Sequence, residues 1–196
     1  MNIAIDLDDV VVDIISGIST AYNKKYGTQF TLSDHTSFGF HTIWNCTPTE
    51  AMNEVYEFYN SPDMEDLQPV AGALDSIRIL HQNHTLVFIT SRPTVIEDKT
   101  HTWIKKHLAT LSIPIYHTNQ FSAETEAKVT KSSICKKLSV EIIVEDSPIN
   151  TEDCASAGIK VLLFDRPWNK EVANSNTITR VKNWDEILEK INELSA

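Results

Sequence analysis

Glycine is scarce in this sequence, and its scarcity excludes several well-known nucleotide-binding and hydrolytic motifs. The 196 residues contain only five glycines, which stand far apart: Gly17, Gly27, Gly39, Gly72 and Gly158. This spacing allows neither the dinucleotide fingerprint G-x-G-x-x-G nor the phosphate loop G-x-x-x-x-G-K. The serine-hydrolase elbow G-x-S-x-G is excluded in the same way. Function classes that depend on these motifs are therefore set aside.

Cysteine and long apolar runs are also lacking. The three cysteines, Cys46, Cys135 and Cys154, form no C-x-x-C pair, so neither a disulfide framework nor a cysteine zinc site is indicated. We interpret them as buried thiols of a protein in a reducing cytosol. No apolar stretch approaches the roughly eighteen residues needed to cross a bilayer, and no basic segment precedes Asp6. We therefore expect no membrane partner, no secretory signal and a cytoplasmic location.

Basic residues are in the minority. Lys and Arg number 17 against 27 Asp and Glu, which gives a net charge of −10 and a pI of about 5.1. Duplex nucleic acid is a poor partner for such a protein, because its binding depends on basic side chains that neutralise phosphates. The length and an apolar fraction of 41% favour one compact domain with a decorated core. The oligomeric state stays open, with a homodimer as one alternative.

Short apolar segments alternate with helical patterns along most of the chain. Strands are predicted at 2–5, 86–89, 113–116, 142–144 and 161–164, and helices from 11, at 74–80, 93–108, 131–138 and 149–157, and after 183. This alternation predicts an α/β fold with a Rossmann-like, three-layer parallel sheet that is covered on both faces.

One segment interrupts this alternation. Residues 26–68 contain aromatic residues and a helix that begins with a capping box of Thr47 and Glu50. We interpret the segment as a small helical cap inserted after the first strand. The core then comprises residues 1–25 and 69–196, and the first helix is a further candidate member of the cap.

The first predicted strand ends in a dense acidic cluster. Asp6, Asp8 and Asp9 follow the strand directly, Asp13 comes one turn later, and no Lys or Arg occurs up to Asn23. In an extended segment residues i and i+2 share a face, so Asp6 and Asp8 are aimed at one small volume. Two carboxylates this close repel each other unless a cation intervenes, and hard oxygen ligands suit Mg²⁺. Helix capping by Asp8 or Asp9 is the alternative, but it accounts for one aspartate rather than three.

Other strand ends carry polar residues to the same edge of the sheet. The second strand is followed by Thr90 and Ser91, where a hydroxyl and free N–H groups at a helix start can bind phosphate. The strand near residue 143 is followed by Glu145 and Asp146, a second acidic pair. Each feature alone is equally explained by a helix cap, and Lys131 by a solvated surface charge. Their joint arrival at one edge favours a functional site.

Taken in order, these motifs resemble the haloacid dehalogenase-like hydrolase superfamily, most members of which are Mg²⁺-dependent phosphatases. Residues 3–10, I-A-I-D-L-D-D-V, resemble its motif I, an apolar strand followed by D-x-D-x-[TV]. Later residues resemble the other motifs in the family's order. Thr90 resembles motif II, Lys131 or alternatively Lys128 resembles the motif III lysine, and motif IV corresponds to Glu145, Asp146 and Asn150. The insertion stands where the family places a small helical C1 cap.

Four further stretches resemble the 5'(3')-deoxyribonucleotidase branch and its bacterial relatives: 69–73 (PVAGA), 90–93 (TSRP), 145–148 (EDSP) and 165–169 (DRPWN). Motif IV departs from that branch, which usually has two aspartates where this chain has Glu-Asp. The resemblance implies a phosphomonoester hydrolase for nucleoside monophosphates, that is, a 5'-nucleotidase or deoxyribonucleotidase. A phosphatase of the same superfamily for another small phosphorylated metabolite is the alternative.

The resemblance also implies roles for single residues. Asp6 is the expected nucleophile that forms an aspartyl-phosphate, and Asp8 the expected acid and base for the leaving alkoxide and the attacking water. Mg²⁺ is expected to bind the carboxylates of Asp6 and Asp146 and the backbone carbonyl of Asp8. The phosphoryl oxygens are expected to be held by Thr90, Ser91 and Lys131.

Aromatic residues of the insertion are candidates for contact with the substrate. Phe38, Phe40 and Trp44 could stack on a base or sugar above the phosphate site. Packing within a small cap is the alternative explanation, and we interpret Trp168 as a packing residue.

Two classes without hydrolytic turnover stay open. A phospho-accepting receiver domain also gathers acidic residues, a threonine and a lysine around Mg²⁺, but its phosphorylated Asp ends the third strand, and no such residue stands there in this sequence. A catalytically silent phosphate-binding module could use the same pocket.

Overall fold

A parallel sheet of six strands forms the centre of the molecule, in a computed structural model that describes residues 1–37, 39–119 and 129–195. The strands are β1 (Asn2–Ile5), β2 (Thr85–Thr90), β3 (Ile115–His117), β4 (Ile142–Glu145), β5 (Lys160–Phe164) and β6 (Ile178–Val181). They lie in the order β3-β2-β1-β4-β5-β6, and all neighbours are parallel. The predicted α/β fold with a Rossmann-like parallel sheet is confirmed.

Helices cover both faces of this sheet, as predicted. They are α1 (Ile14–Tyr26), α2 (Phe40–Trp44), α3 (Pro48–Asn60), α4 (Ala73–His81), α5 (Glu97–Leu108), α6 (Lys131–Lys137), α7 (Pro148–Ser156) and α8 (Trp184–Ser195). Ile3 and Ile5 of β1 belong to the apolar cluster that includes α4, α5 and α8, whereas Ala4 belongs to the cluster that includes α6 and α7. Side chains of a strand alternate between its faces, so a continuous apolar run is buried on both sides.

The central strands end level with one another. Ile5 of β1 is paired with Phe88 of β2 and with Val144 of β4. The N–H of Asp6 donates to the carbonyl of Val144 at 3.0 Å, which extends the pairing by one residue. The residues that follow β1, β2 and β4 therefore converge at one edge of the sheet, where ligands bind in folds of this type.

The segment between α1 and α4 is helical. It contains α2, α3 and two 3₁₀ turns, Leu32–Asp34 and Pro62–Asp66, and α3 begins with the predicted capping box of Thr47 and Glu50. Its buried residues, among them Val55, share one apolar cluster with α1 and with the sheet. The exact division into a cap of residues 26–68 and a core of residues 1–25 and 69–196 stays a prediction.

Helix α1 begins three residues later than the sequence pattern predicts. The predicted start was Val11, but the carbonyl of Leu7 accepts the N–H groups of both Val11 and Val12 at 2.8 Å. These bonds close a tight turn, in which Asp9 adopts a left-handed conformation with φ of 57°. The apolar residues Val11 and Val12 are fully buried beneath this turn rather than on a helix face.

Two further elements begin at least two residues later than predicted, and one strand was not predicted. The helix predicted from Pro93 begins at Glu97, after a 3₁₀ turn over Thr94–Ile96. Strand β3 begins after Pro114, which has no N–H for sheet pairing. Strand β6 was not predicted, because polar Thr179 and Arg180 separate its two buried residues at the edge of the sheet.

The prediction of buried thiols holds for two of the three cysteines. Cys135 and Cys154 are fully buried between α6, α7 and the sheet, whereas Cys46 is half-buried.

No helix within the described ranges combines the length and the apolar character that a membrane crossing requires.

Candidate active site

The turn after β1 positions three aspartates at the edge of the sheet. Leu7 and Val10 anchor the turn, because both side chains are fully buried. Asp6, Asp8 and Asp9 line one cavity, as the spacing of the first two predicts. The carboxylate of Asp9 accepts the N–H of Ile15 at 3.2 Å, which satisfies one free donor at the start of α1.

Asp6 is buried beside a lysine that the sequence places 125 positions away. Its Oδ1 lies 2.6 Å from Nζ of Lys131, which also donates to Oε2 of Glu145 at 2.7 Å. Burial and the negative charge of Glu145 raise the pKa of Asp6 to about 7, although Lys131 opposes this shift. Burial alone would lower the pKa of Lys131, but the two carboxylates outweigh burial and raise it. Lys131 is therefore a charged, fully enclosed group and not a surface lysine.

Glu145 and Asp146 have different partners. The Oε1 atom of Glu145 accepts the N–H groups of Ser147 and Asp146 at 3.0 and 3.3 Å, so both of its carboxylate oxygens are engaged by the protein. Asp146 accepts the indole N–H of Trp168 on Oδ2 at 2.8 Å. Burial and the nearby charge of Glu145 raise the pKa of Asp146. Glu145 thus fixes Lys131 and the turn, whereas Asp146 faces the cavity.

Asp8 is held by an arginine that the sequence prediction did not assign to it. Nε of Arg92 donates to the two carboxylate oxygens at 2.9 and 3.1 Å, and Nη1 donates to Thr100 at 3.1 Å. The guanidinium is almost completely buried, and Asp8 lies on the cavity wall. Asp6 therefore pairs with Lys131, whereas Asp8 pairs with Arg92. The local sequence offers these carboxylates no counterion, but the folded chain supplies one to each.

The predicted phosphate-binding residues occupy two depths at this edge. Ser91 lines the cavity and accepts a weak hydrogen bond from the amide of Asn150 at 3.5 Å. Thr90 is fully buried behind it, and its hydroxyl oxygen accepts the N–H of Arg92 at 3.2 Å. Lys131 is also fully buried, and its Nζ contacts Asp6, which lines the cavity. The roles of these residues toward phosphate stay predictions, and Lys128 lies outside the described residues.

A cavity of about 270 Å³ lies above these polar groups. Its upper wall is mainly apolar and comes from α1, α2 and α3, including Ile15, Phe40, Met52 and Val55. Tyr59 of α3 and Arg92 also line it, so the helical insertion covers the acidic cluster. The arrangement provides a polar floor for an anionic group and an apolar wall for the group attached to it.

The three candidate stacking residues have different positions. Phe40 lines the cavity and stands edge-on to His35, with 5.3 Å between the ring centroids. Trp44 does not line this cavity: it stacks on Tyr22 at 4.0 Å, within the packing of the insertion. Phe38 lies outside the described residues. Of the two stacking candidates within the described residues, Phe40 and Trp44, only Phe40 therefore lines the cavity.

The carboxylates at the floor fit a divalent cation. Asp6, Glu145 and Asp146 place carboxylate oxygens within 4.8 Å of one another. The described groups around this point are five carboxylates and three cations: Asp6, Asp8, Asp9, Glu145 and Asp146 against Arg92, Lys131 and Arg166. With all five carboxylates ionised, two negative charges remain in excess. One divalent cation would cancel them, and hard oxygen donors are the ligands that such ions prefer. Because Glu145 is already engaged, Asp6 and Asp146 are the side chains best placed to ligate the ion.

Sequence reasoning gave the loop after β5 no role in the site. Its residue Trp168, interpreted as a packing residue, lines the cavity and donates to Asp146. Nε of Arg166 donates to the carbonyl of Asp9 at 2.9 Å, and the amide of Asn169 donates to the carbonyl of Asp146 at 2.8 Å. The signal for this loop was the stretch 165–169, which resembles the nucleotidase branch but carries no charge pattern that indicates its partners.

Comparison with known proteins identifies the family. A profile of 5' nucleotidase, deoxy (pyrimidine), cytosolic type C proteins matches residues 1–196. The chain belongs to this family. It is 30% identical over 187 residues to nucleotidase CA_C3379 of Clostridium acetobutylicum, covering 95% of this chain and 91% of that protein. It is 25% identical to putative nucleotidase YqfW of Bacillus subtilis, covering 87% of this chain and 83% of that protein.

Solved structures with the same fold come from the haloacid dehalogenase-like hydrolases. SP0104 of Streptococcus pneumoniae matches with a TM-score of 0.68 and 17% identity over 97% of both chains. A haloacid dehalogenase-like hydrolase from Deinococcus radiodurans, solved with bound phosphate and sodium, matches with a TM-score of 0.67 and 14% identity. The match covers 99% of this chain and 96% of that one. These likenesses show the fold expected of that superfamily. The predicted nucleotidase branch is confirmed, and the chain is a phosphatase of the nucleotidase type.

Proposed function

We propose that the protein is a Mg²⁺-dependent nucleotidase that hydrolyses nucleoside monophosphates through an aspartyl-phosphate on Asp6. The position of Asp6 carries this proposal. Its buried carboxylate lies 2.6 Å from Nζ of Lys131, at the polar end of a cavity that Asp8 and Asp146 also line. A nucleophile needs an enclosed site with a cation beside it, so that the approach of an anionic phosphate is not prevented by repulsion.

The reaction would take place in two displacements. Asp6 attacks phosphorus and the bond from phosphorus to the ester oxygen breaks, while Asp8, protonated in the complex with substrate, gives its proton to the departing alkoxide. Water then attacks the phosphoryl group while Asp8 accepts its proton, which releases phosphate and restores Asp6. Thr90, Ser91 and Lys131 are the residues proposed to hold the phosphoryl oxygens.

Asp6, Asp146 and the backbone carbonyl of Asp8 are the groups proposed to hold Mg²⁺. When bound there, Mg²⁺ would reduce the repulsion between the carboxylates and the substrate phosphate and would polarise the phosphoryl oxygens. The two excess negative charges of the cluster support a doubly charged ion rather than a singly charged one.

The cavity supports a nucleotide of limited size. Its volume of about 270 Å³ lies just below the ~300–1,000 Å³ that ligand pockets enclose, which favours a ligand as small as a mononucleotide. Phe40 and the aliphatic side chains of the wall suit a planar base. The nucleotidases among its relatives support the same substrate class.

A phosphate-release assay tests the substrate class and the metal. Nucleoside monophosphates, sugar phosphates and phosphoglycolate are compared at saturating Mg²⁺ and after chelation with EDTA. We expect the highest kcat/KM with a nucleoside monophosphate, and no turnover in EDTA. A higher kcat/KM with a sugar phosphate or phosphoglycolate would assign the enzyme to another metabolite, and full activity in EDTA would reject the metal.

Two variants test the nucleophile. Asp6→Asn is expected to abolish turnover, because an amide cannot form the acyl phosphate. Asp13→Asn is the matched control: this carboxylate lies seven positions along the chain, makes no capping hydrogen bond and does not line the cavity, so activity should be retained. Mass spectrometry of protein quenched during turnover should find a phosphoryl adduct on Asp6. Appreciable hydrolysis by Asp6→Asn would reject this residue as the nucleophile.

A further inference from the structure

The loop after β5 reaches back to the acidic cluster through one tryptophan. Nε1 of Trp168 donates a hydrogen bond of 2.8 Å to Oδ2 of Asp146. Both residues are buried, with 6% and 4% of their surfaces exposed, and both line the cavity. An indole nitrogen can only donate, so the bond has one possible direction, from Trp168 to the carboxylate.

The backbone that carries Trp168 is fixed independently of this bond. The side-chain amide of Asn169 donates to the carbonyls of Asp146 and Phe164, at 2.8 Å in each case. Arg180 in turn donates to the side-chain oxygen and to the backbone carbonyl of Asn169, at 2.7 and 2.9 Å. These bonds hold the loop that carries the indole against the backbone of Asp146, and so place the indole N–H beside its carboxylate.

Asp146 needs such a partner because of its neighbours. Its carboxylate shares a small volume with those of Asp6 and Glu145, and repulsion favours side-chain orientations that move the charges apart. A neutral donor on one oxygen opposes that movement without cancelling the negative charge. The other oxygen is then free to act as a ligand. A cationic donor at the same position would reduce the attraction for a metal ion.

We propose that Trp168 is a positioning residue that orients Asp146 for Mg²⁺ binding, an inference that rests on the proposed function. Partners of this kind, which hold a ligand rather than the metal, change metal affinity or activity about 10- to 100-fold when removed. The competing explanation is that Trp168 only packs, in which case its loss would affect stability and leave metal affinity unchanged.

The chain contains a matched control for this deletion. Trp103 is also buried, and its indole Nε1 donates to the carbonyl of Leu67 at 2.8 Å, away from the acidic cluster. Trp168→Phe and Trp103→Phe therefore remove the same indole N–H and the same ring area from two buried sites. Any effect common to both variants reports packing, and a difference between them reports the bond to Asp146.

The experiment is a Mg²⁺ titration by calorimetry without substrate, with unfolding by urea measured in parallel. We expect the Mg²⁺ dissociation constant of Trp168→Phe to rise about 10- to 100-fold, and that of Trp103→Phe to stay within about twofold of the unaltered protein. The kcat of Trp168→Phe should rise with Mg²⁺ concentration over the same higher range in which the variant binds the ion. Equal Mg²⁺ affinity in the two variants would overturn the inference.

A measurement on the unaltered protein covers the case in which Trp168→Phe does not fold. Its indole N–H resonances are followed by NMR during the same titration, after assignment with single Trp→Phe variants at the other three positions. The Trp168 signal should shift with Mg²⁺ and the Trp103 signal should not; a Trp168 signal that stays fixed while Mg²⁺ binds would refute its role. Absence of any Mg²⁺ binding by the unaltered protein would instead refute the proposed metal dependence.

Discussion

The ion pair of Asp8 and Arg92 leads to a quantitative prediction about stability. Arg92 places two of its nitrogens on the Asp8 carboxylate and the third on Thr100, and only 1% of its side chain is exposed. The perturbation is Asp8→Asn, which keeps the size of the side chain but removes its negative charge. The guanidinium of Arg92 would then remain buried without a counterion at contact distance.

The expected loss follows from the burial of both partners. Removing one member of a buried ion pair destabilises a protein by about 3–5 kcal/mol, because the other charge stays desolvated and unpaired. The side chain of Asp8 is 24% exposed, so water partly solvates the pair and the lower end of the range applies, about 3 kcal/mol. This is a large share of the roughly 5–15 kcal/mol that stabilises a typical domain.

A double-mutant cycle isolates the pair from other effects. Arg92→Met and the combination of both changes are compared with Asp8→Asn by urea unfolding at pH 7. The double variant should lose about 0.5–3 kcal/mol less than the sum of the single losses, because it contains no unpaired buried charge. Asp75→Asn is the surface control: its side chain is 87% exposed, and its removal should change stability by less than about 0.5 kcal/mol. Additive losses in the cycle, or an Asp8→Asn loss as small as that of the control, would refute the reasoning.

Three further predictions concern other contacts. Lys131→Met should abolish turnover and destabilise the protein by about 3–5 kcal/mol in urea unfolding, with partial recovery on adding Glu145→Gln, because Lys131 neutralises two buried carboxylates. Gly17→Ala should cost about 1–3 kcal/mol, because its Cβ would overlap the side chain of Leu67; a melting temperature equal to that of the unaltered protein would contradict this. Burial lowers the pKa of His35 below its ordinary 6.5, so the unfolded chain binds the proton first and the stability present above that pH is lost as pH falls towards the lowered value. His35→Gln should therefore flatten the decline in unfolding free energy below about pH 6.5, and an unchanged slope would reject His35 as a contributor.

Much of the site was predictable from local sequence because parallel strands deliver their next residues to one edge. The apolar runs identified β1, β2 and β4, and the acidic or hydroxyl residues that follow them meet around the cavity. The start of α1 was wrong because residues 7–12 form a turn whose hydrogen bonds leave no periodic signal. Trp44 was a candidate for substrate stacking, but an aromatic ring in a small insertion can equally pack on a neighbour such as Tyr22, and spacing alone does not distinguish the two.

The sequence by itself determined the α/β class, the central acidic turn and the resemblance to phosphatases, because these depend on residue patterns within short segments. Only the tertiary structure decided how the charges are matched. Lys131, Arg92 and Trp168 come from three separate parts of the chain and select Asp6, Asp8 and Asp146 respectively as their partners. Such pairings depend on distances across the folded core, and burial makes each one energetically significant, whereas no local pattern specifies which cation or donor meets which carboxylate.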